Sequence, residues 1–223
     1  KTDIFQAITE DTTVYSGPVP VKHFPMDLTL LLGRGSRNRQ ITILPLDVTD
    51  QPTIDAAAAA VAAQVDGLDL LINNAAYNPP GDIQALEVID ADVLLRTLQV
   101  NAAGPLLVVQ AFANLLKGGV RPVIMNISSQ QGSLQRGMYN GYYAYRSSKA
   151  ALNMITRCMA ADLRSAGVLV VTVHPGWVQT DMGGSNATLT PVESAQGLIA
   201  LFDGLTTADT GSFFNWDGSP HPW

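Results

Sequence analysis

The chain has 223 residues, 47% of them hydrophobic, which fits one domain able to bury a substantial core and argues against two small ones. Its 19 acidic and 13 basic residues leave a net charge of -6, which disfavours a protein that grips a phosphate backbone, so no nucleic-acid partner is expected. Cys158 is the only cysteine: no intrachain disulfide can form, and a reducing, cytoplasmic setting fits best.

Residues 1–40 read as an irregular front end in which Pro18, Pro20 and Pro25 break any long helix and only "DLTLLLGR" has strand character. From residue 40 onward short apolar runs alternate with longer helical stretches. "ITILPLDV" is expected to be a strand, "PTIDAAAAAVAAQV" a helix started by Pro52, "LDLLINNAA" a strand, and residues 89–116 a long helical segment. "RPVIMNISS" then reads as a strand, residues 143–165 as a helix closed by Gly167, "VLVVTVHPG" as a strand, "PVESAQGLIALFDGL" as a helix and "TGSFFNW" as the last strand. These strands are nearly continuous in Val, Ile and Leu, as expected where parallel strands are buried on both faces. The expected fold class is therefore α/β, a doubly wound parallel sheet of Rossmann-like type, forming a single domain over 1–223 with an atypical front end over 1–40. No run of about eighteen apolar residues marks a membrane span, and the opening "KTDIFQAITEDTT" lacks a signal-peptide core, so no membrane partner is expected.

In such a sheet ligands bind beyond the carboxyl ends of the strands, which makes Asp47, Asn73, Asn74, Ser128, Ser129, Pro175 and Gly176 candidate site residues. The stretch "YYAYRSSKAALN" adds Tyr145 and Lys149 four residues apart, on one face of a helix, where an ammonium is expected to lower the pKa of the phenol. His174 reads as a core-edge histidine, His23 and His221 have no partners in sequence, and no metal site is expected.

Taken in order, "LPLDV", "NNAA", "NAAGP", "NISS", Tyr145 with Lys149, and "HPGWVQTDM" resemble the motif set of the short-chain dehydrogenase/reductase family, closest to its C-factor-like or sniffer-like carbonyl reductases. The likeness runs from about residue 41 to 223, with Ala76 standing where the family's N-N-A-G has glycine. It implies NADPH-dependent reduction of a carbonyl compound, or the reverse alcohol oxidation, with Asn101, Ser129, Tyr145 and Lys149 catalytic. Tyr145 would donate the proton, Lys149 would lower its pKa and reach the nicotinamide ribose, Ser129 would hold the substrate oxygen, and Asn101 would position a relay water; Ser133 is the fallback serine. The cofactor, NADP(H), would be met by Asp47 and Val48 at the adenine, by Asn74 and Ala75, by Tyr145 and Lys149, and by Pro175, Gly176, Val178 and Thr180 at the nicotinamide. Tyr77, Met138, Tyr139, Tyr142, Trp177 and Met182 gather in loops at the same edge and are expected to line an apolar pocket for a small-molecule carbonyl or alcohol.

The front end departs from the family, because no T-G-x-x-x-G-x-G stands there to cradle a pyrophosphate and "LLLGRGSRNR" offers a single G-x-G. "DLTLLLGR" is either the family's second strand, with Arg34 at its end to meet a 2′-phosphate, or a displaced first strand. NADP(H) is still the expected cofactor, bound more weakly than where the full glycine loop stands, with a site too weak to fill as the alternative. A non-redox enzyme using Tyr145, Lys149 and Ser129 (an isomerase, lyase or cyclase) and a cofactor-free binding or signalling protein stay open as alternatives. A homodimer is also expected by resemblance, through the helices that begin near Asn101 and Tyr145, with Leu106, Val109 and Phe112 on one and Ser148, Ala150 and Ala151 on the other as contact residues.

Overall fold

The computed structural model describes residues 29–33, by their backbone, together with 44–136 and 140–223. It holds β1 (Thr29–Gly33), α1 (Gln51–Ala62), β2 (Leu68–Asn73), α2 (Ala91–Leu98), α3 (Gly104–Lys117), β3 (Val123–Ile127), α4 (Tyr143–Leu163), β4 (Leu169–His174), α5 (Pro191–Gly204) and β5 (Phe213–Asn215). The sheet order is β1-β2-β3-β4-β5. β2 through β5 are parallel, and successive side chains alternate between two covered faces. Leu70, Ile72, Val123, Met125, Ile127, Leu169, Val171 and Val173 pack under α5, through Ala195, Leu198 and Leu201. Leu71, Ile124 and Val170 point the other way, toward Ile54 of α1, Val108 and Phe112 of α3, and Met159 and Ala160 of α4. Burial on both faces is why these strands carry so little alternation of polar and apolar residues.

Two expectations about the front of the chain are corrected. β1 pairs antiparallel to β2, with Thr29 opposite Asn73, whereas either family placement would make it parallel. An antiparallel edge strand still satisfies the outer backbone groups of β2, which is why mixed sheets of this kind are common. The described part of "ITILPLDV", residues 44–48, is not a strand. Its hydrogen bonds go to the start of α1 instead: Asp47 Oδ1 accepts from the Thr49 amide at 2.8 Å and the Thr49 hydroxyl at 2.7 Å, and the Asp47 N–H donates to Thr53 Oγ1. The turn gives Asp47 and Thr49 partners of their own in place of a ladder. Val48 is buried and lies so close to Gly104 that a Cβ there would fall 2.8 Å from its own, which explains the glycine in "NAAGP".

The long segment expected over 89–116 is two helices joined by a π turn, Gln99–Ala103, that widens the backbone around Asn101. Taken together, Ala91–Lys117 is long and apolar enough to cross a membrane by length and composition. Its apolar face, Val108, Val109, Phe112 and Leu116, is buried in the helix-side core.

Candidate active site

Because β2, β3 and β4 are parallel, their carboxyl ends share one edge. A buried polar ladder lies beneath it. Asn73 Nδ2 donates to Asn126 Oδ1 at 2.8 Å, and Asn126 Nδ2 donates to Thr156 Oγ1 of α4 at 2.9 Å, so the strands and the helix that carries Tyr145 are locked at one level. In a dry interior each such bond is costly to break.

Tyr145 and Lys149 are both buried, on the face of α4 that meets the end of β3. The Lys149 ammonium stands 5.7 Å from the centre of the Tyr145 ring and donates to the Ile127 carbonyl at 2.9 Å. Ser129 stands beside the Tyr145 phenol, and its Oγ accepts from the Gln131 N–H at 3.1 Å. The acid-base consequence reverses the expectation from spacing. Burial pushes the phenol up to about 12, and the Ser129 hydrogen bond only partly offsets it. Desolvation outweighs the neighbouring donor, and the phenol holds its proton across the neutral range.

The three serines separate cleanly. Ser128 Oγ donates to Asn153 Oδ1 at 2.6 Å, a structural bond, and Asn153 in turn donates to the Gly132 carbonyl. Ser129 meets the phenol. Ser133 is buried with no hydrogen-bond partner for its hydroxyl among the described residues. Gly132 allows this strand-end turn to lie against α4, since a Cβ there would come within 2.7 Å of the Lys149 carbonyl carbon.

Asn101 is fully buried and its side chain is committed: Nδ2 donates to the Tyr77 carbonyl at 2.8 Å and to Ser148 Oγ at 2.9 Å, and Oδ1 accepts from the Tyr77 N–H at 2.7 Å. The amide therefore ties the loop after β2 to α4. Ser148, expected at a dimer contact, is buried in this bond, and Val109 and Phe112 face the subunit's own core. Of the apolar stripe expected on α3 for that contact, Leu106 is exposed.

Beyond β4 the chain turns at Gly176, where φ is 85° and the left-handed backbone favours glycine. The following loop is pinned by its own bonds: Ser194 Oγ to the Pro175 carbonyl, Trp177 Nε1 to the Gly183 carbonyl, the Gly183 N–H to Thr180 Oγ1, and a bridge between Val178 and Leu189. Trp177 and Met182 are about half exposed, and Tyr77 packs partly against the helix-side core. Asn74 is half-buried and Ala75 buried at the end of β2. Arg34, Met138 and Tyr139 lie outside the described residues.

His174 is buried at the end of β4, as a core-edge residue should be, and its ring meets His221 edge-on at 5.7 Å. Burial, then the charges of His221 and Arg136, lower its pKa to about 4. The C-terminal segment returns to reach it: the His221 N–H donates to the Phe213 carbonyl, and the Gln135 N–H donates to the Trp223 carbonyl, which fastens the loop after Ser129 to the chain's last residue.

Three buried amides escaped the sequence reading: Asn126 of β3, Asn153 and Gln84. Asn153 sits in "SSKAALN", four residues beyond Lys149, and that spacing was a usable signal. Gln84 gave none. It lies in a short turn 61 residues before Tyr145, yet it is fully buried and bonded to that residue's backbone.

Comparison with known proteins gives the family. The family described as short chain dehydrogenase matches residues 31–189, and the chain belongs to that family. It is, accordingly, an enzyme of the oxidoreductase class. It is similar to C-signal of Myxococcus xanthus, at 44% identity over 156 residues that cover 70% of this chain and 93% of that protein. It also resembles the NADPH-bound carbonyl reductase from chicken fatty liver, with 37% identity and a TM-score of 0.77 over 82% of this chain and 77% of that one. The carbonyl reductase Sniffer of D. melanogaster superposes with a TM-score of 0.78 at 36% identity, over 82% of this chain and 78% of that one.

Proposed function

We propose that this chain reduces a carbonyl compound with NADPH, or oxidises the corresponding alcohol in reverse, with Tyr145 as the proton donor or acceptor. The observation that carries the reading is the convergence of the Ser129 hydroxyl, the Tyr145 phenol and the Lys149 ammonium at the end of β3.

The donor chemistry at this end of the edge fits a nicotinamide ribose: a buried ammonium one helical turn from a phenol, with the Pro175–Thr180 segment beyond it. Lys149 and Tyr145 would hold the ribose, and Val178 and Thr180 the carboxamide. Asp47, Asn74 and Ala75 stand at the start of α1 and the end of β2, in reach of the rest of the dinucleotide, and Arg34 is the candidate for a 2′-phosphate. When bound, the reduced nicotinamide supplies the hydride that the carbonyl carbon accepts.

The chain's own residues supply the rest. Ser129 accepts from the Gln131 N–H, and its own O–H stays available to donate to a carbonyl oxygen placed beside it. A phenol held near 12 is protonated at neutral pH and donates to the alkoxide as that oxygen gains charge, because an alkoxide is the stronger base. Lys149 stabilises the phenolate that remains by its charge. The Asn101 amide is consumed by Tyr77 and Ser148, so a relay water would be held by its main-chain carbonyl.

NADPH affinity is expected to fall below that of a relative with the full glycine loop, since charge-assisted bonds from backbone N–H groups are worth about 1.5–3 kcal/mol each. The deciding experiment is titration with NADPH and NADH, followed by fluorescence and melting temperature, then turnover of a panel of aromatic and aliphatic aldehydes and ketones. Binding of NADPH with Tyr145-dependent turnover is the expected result. Tyr145-dependent conversion without any response to millimolar NADPH would replace this reading with a non-redox enzyme.

A homodimer through α3 and α4 belongs to the same proposal, supported by exposed Leu106, Tyr143 and Met154 on those helices. Light scattering at micromolar concentration tests it.

A further inference from the structure

The N-terminus of α4 presents a problem of hydrogen bonding. The first amides of a helix have no partner within it and are usually met by a Ser, Thr, Asp or Asn at the N-cap. Here the N-cap is Tyr142, whose side chain makes no capping bond and whose backbone, at φ 55° and ψ 36°, is left-handed. That conformation costs a non-glycine residue about 1 kcal/mol or more, and the surroundings must impose it.

The turn Gly81–Gln84, which ends the loop after β2, supplies what is missing. Gln84 is fully buried, and its Oε1 accepts from the Tyr145 N–H at 2.9 Å. Its Nε2 donates to the Pro79 carbonyl at 2.5 Å and to Asn78 Oδ1 at 3.1 Å. All three atoms that matter are thus held: the acceptor by the helix, the two N–H donors by the loop. Gly81, three residues earlier, lies under the Tyr142 ring, where a Cβ would fall 2.7 Å from the hydroxyl oxygen. The turn therefore grips both the residue that starts the helix and the residue that carries the phenol.

We infer that Gln84 is a positioning residue: it caps α4 from a distant turn and fixes the height of Tyr145 against Ser129. This rests on Tyr145 being the proton donor. Without the cap the first turn of α4 is free to fray, and the Tyr145 Cα moves with it. Misplacement of a reacting group by about 1 Å costs on the order of 10²-fold in rate.

The test compares Gln84→Met, similar in length and without polar atoms, with Gln84→Glu, which keeps an acceptor for the Tyr145 N–H but loses the amide donors. Tyr145→Phe is the control, and all are made in the full chain. Gln84→Met should lower kcat by about 10- to 100-fold with a much smaller rise in the KM for NADPH, since Lys149 and the Pro175–Thr180 segment would still hold the cofactor. Gln84→Glu should be at least as destabilised as the Met variant, since it buries a carboxylate, and yet more active. Stability and turnover then move in opposite directions, which a purely structural role cannot produce. Turnover that tracks melting temperature across the two variants, or wild-type kcat in Gln84→Met, overturns the inference. Should Gln84→Met fail to fold, Gln84→Glu decides: turnover within about tenfold of wild type supports the acceptor role, and a loss as deep as that of Tyr145→Phe overturns it. If Tyr145→Phe itself retains turnover, the proton-donor reading fails first, and that outcome is distinct from an inert Gln84.

Discussion

Two clusters of buried, titratable side chains stand at the ends of neighbouring strands, one beyond β3 and one beyond β4, and their surroundings differ. In the first, Tyr145 meets Ser129, Lys149 donates to Ile127, and buried amides hold the backbone on either side. In the second, His174 Nδ1 and His221 Nε2 are buried with no hydrogen-bond partner among the described residues. Burial perturbs both clusters, yet with opposite consequences for the working range. It keeps the phenol neutral, the state a proton donor needs. It also keeps the histidine neutral, at a stability cost that appears on acidification, because burial and the like charges of His221 and Arg136 oppose the proton.

The largest effect is expected from Tyr145→Phe. The ring packs alike and only the hydroxyl is lost, so turnover should fall by about 10²–10⁴-fold with folding nearly intact. Stopped-flow or steady-state assay with NADPH measures it. A variant keeping more than about a tenth of wild-type turnover would show that the first cluster is as inert as the second.

Ser129→Ala should follow, at about 10²–10³-fold in kcat, the range for a single donor to a developing oxyanion. Cofactor affinity, read by fluorescence titration, should be unaffected.

The second cluster should show itself in acid. The folded-state pKa of His174 lies near 4, below its ordinary 6.5, so between those values the unfolded chain binds the extra proton. Stability is then fully present above about pH 6.5 and falls as pH drops toward 4, by roughly 3 kcal/mol at the limit. His221, also shifted downward by burial first and Arg136 second, adds slope of the same sign. Tyr145 adds none in this window, being protonated in both states. Urea unfolding at pH 7 and pH 4.5 should show the loss, and His174→Asn should flatten it.

The smallest effect belongs to Ser133→Ala. Its hydroxyl is buried without a partner among the described residues, so removing it should leave turnover unchanged and stability equal or higher by up to about 1 kcal/mol. A large loss of turnover would return Ser133 to the place given to Ser129.

Much of this was legible in the chain. Continuous apolar runs announced strands covered on both faces, the four-residue spacing placed Tyr145 and Lys149 on one face, and the motif order named the family. The closing glycine of α4 was legible too, since Gly167 adopts φ 74° as a helix stop requires. These features are local, and local sterics and periodicity suffice to read them.

Other features depend on contacts across long stretches of chain, which local patterns do not encode. The run "ITILPLDV" has strand composition, but its described part bonds to the start of α1, and composition cannot say where a backbone hydrogen bond goes. Val109, Phe112 and Ser148 had the spacing of a contact stripe and turned inward, because helical period gives a face without saying what covers it. The phenol's direction of titration was read from one nearby charge, whereas desolvation by the whole fold is larger. Gln84 reaches Tyr145 across 61 residues and Asn73 reaches Asn126 across 53. Such amides look like any polar residue in a sequence, and they become parts of a site only when folding removes the water that would otherwise satisfy them.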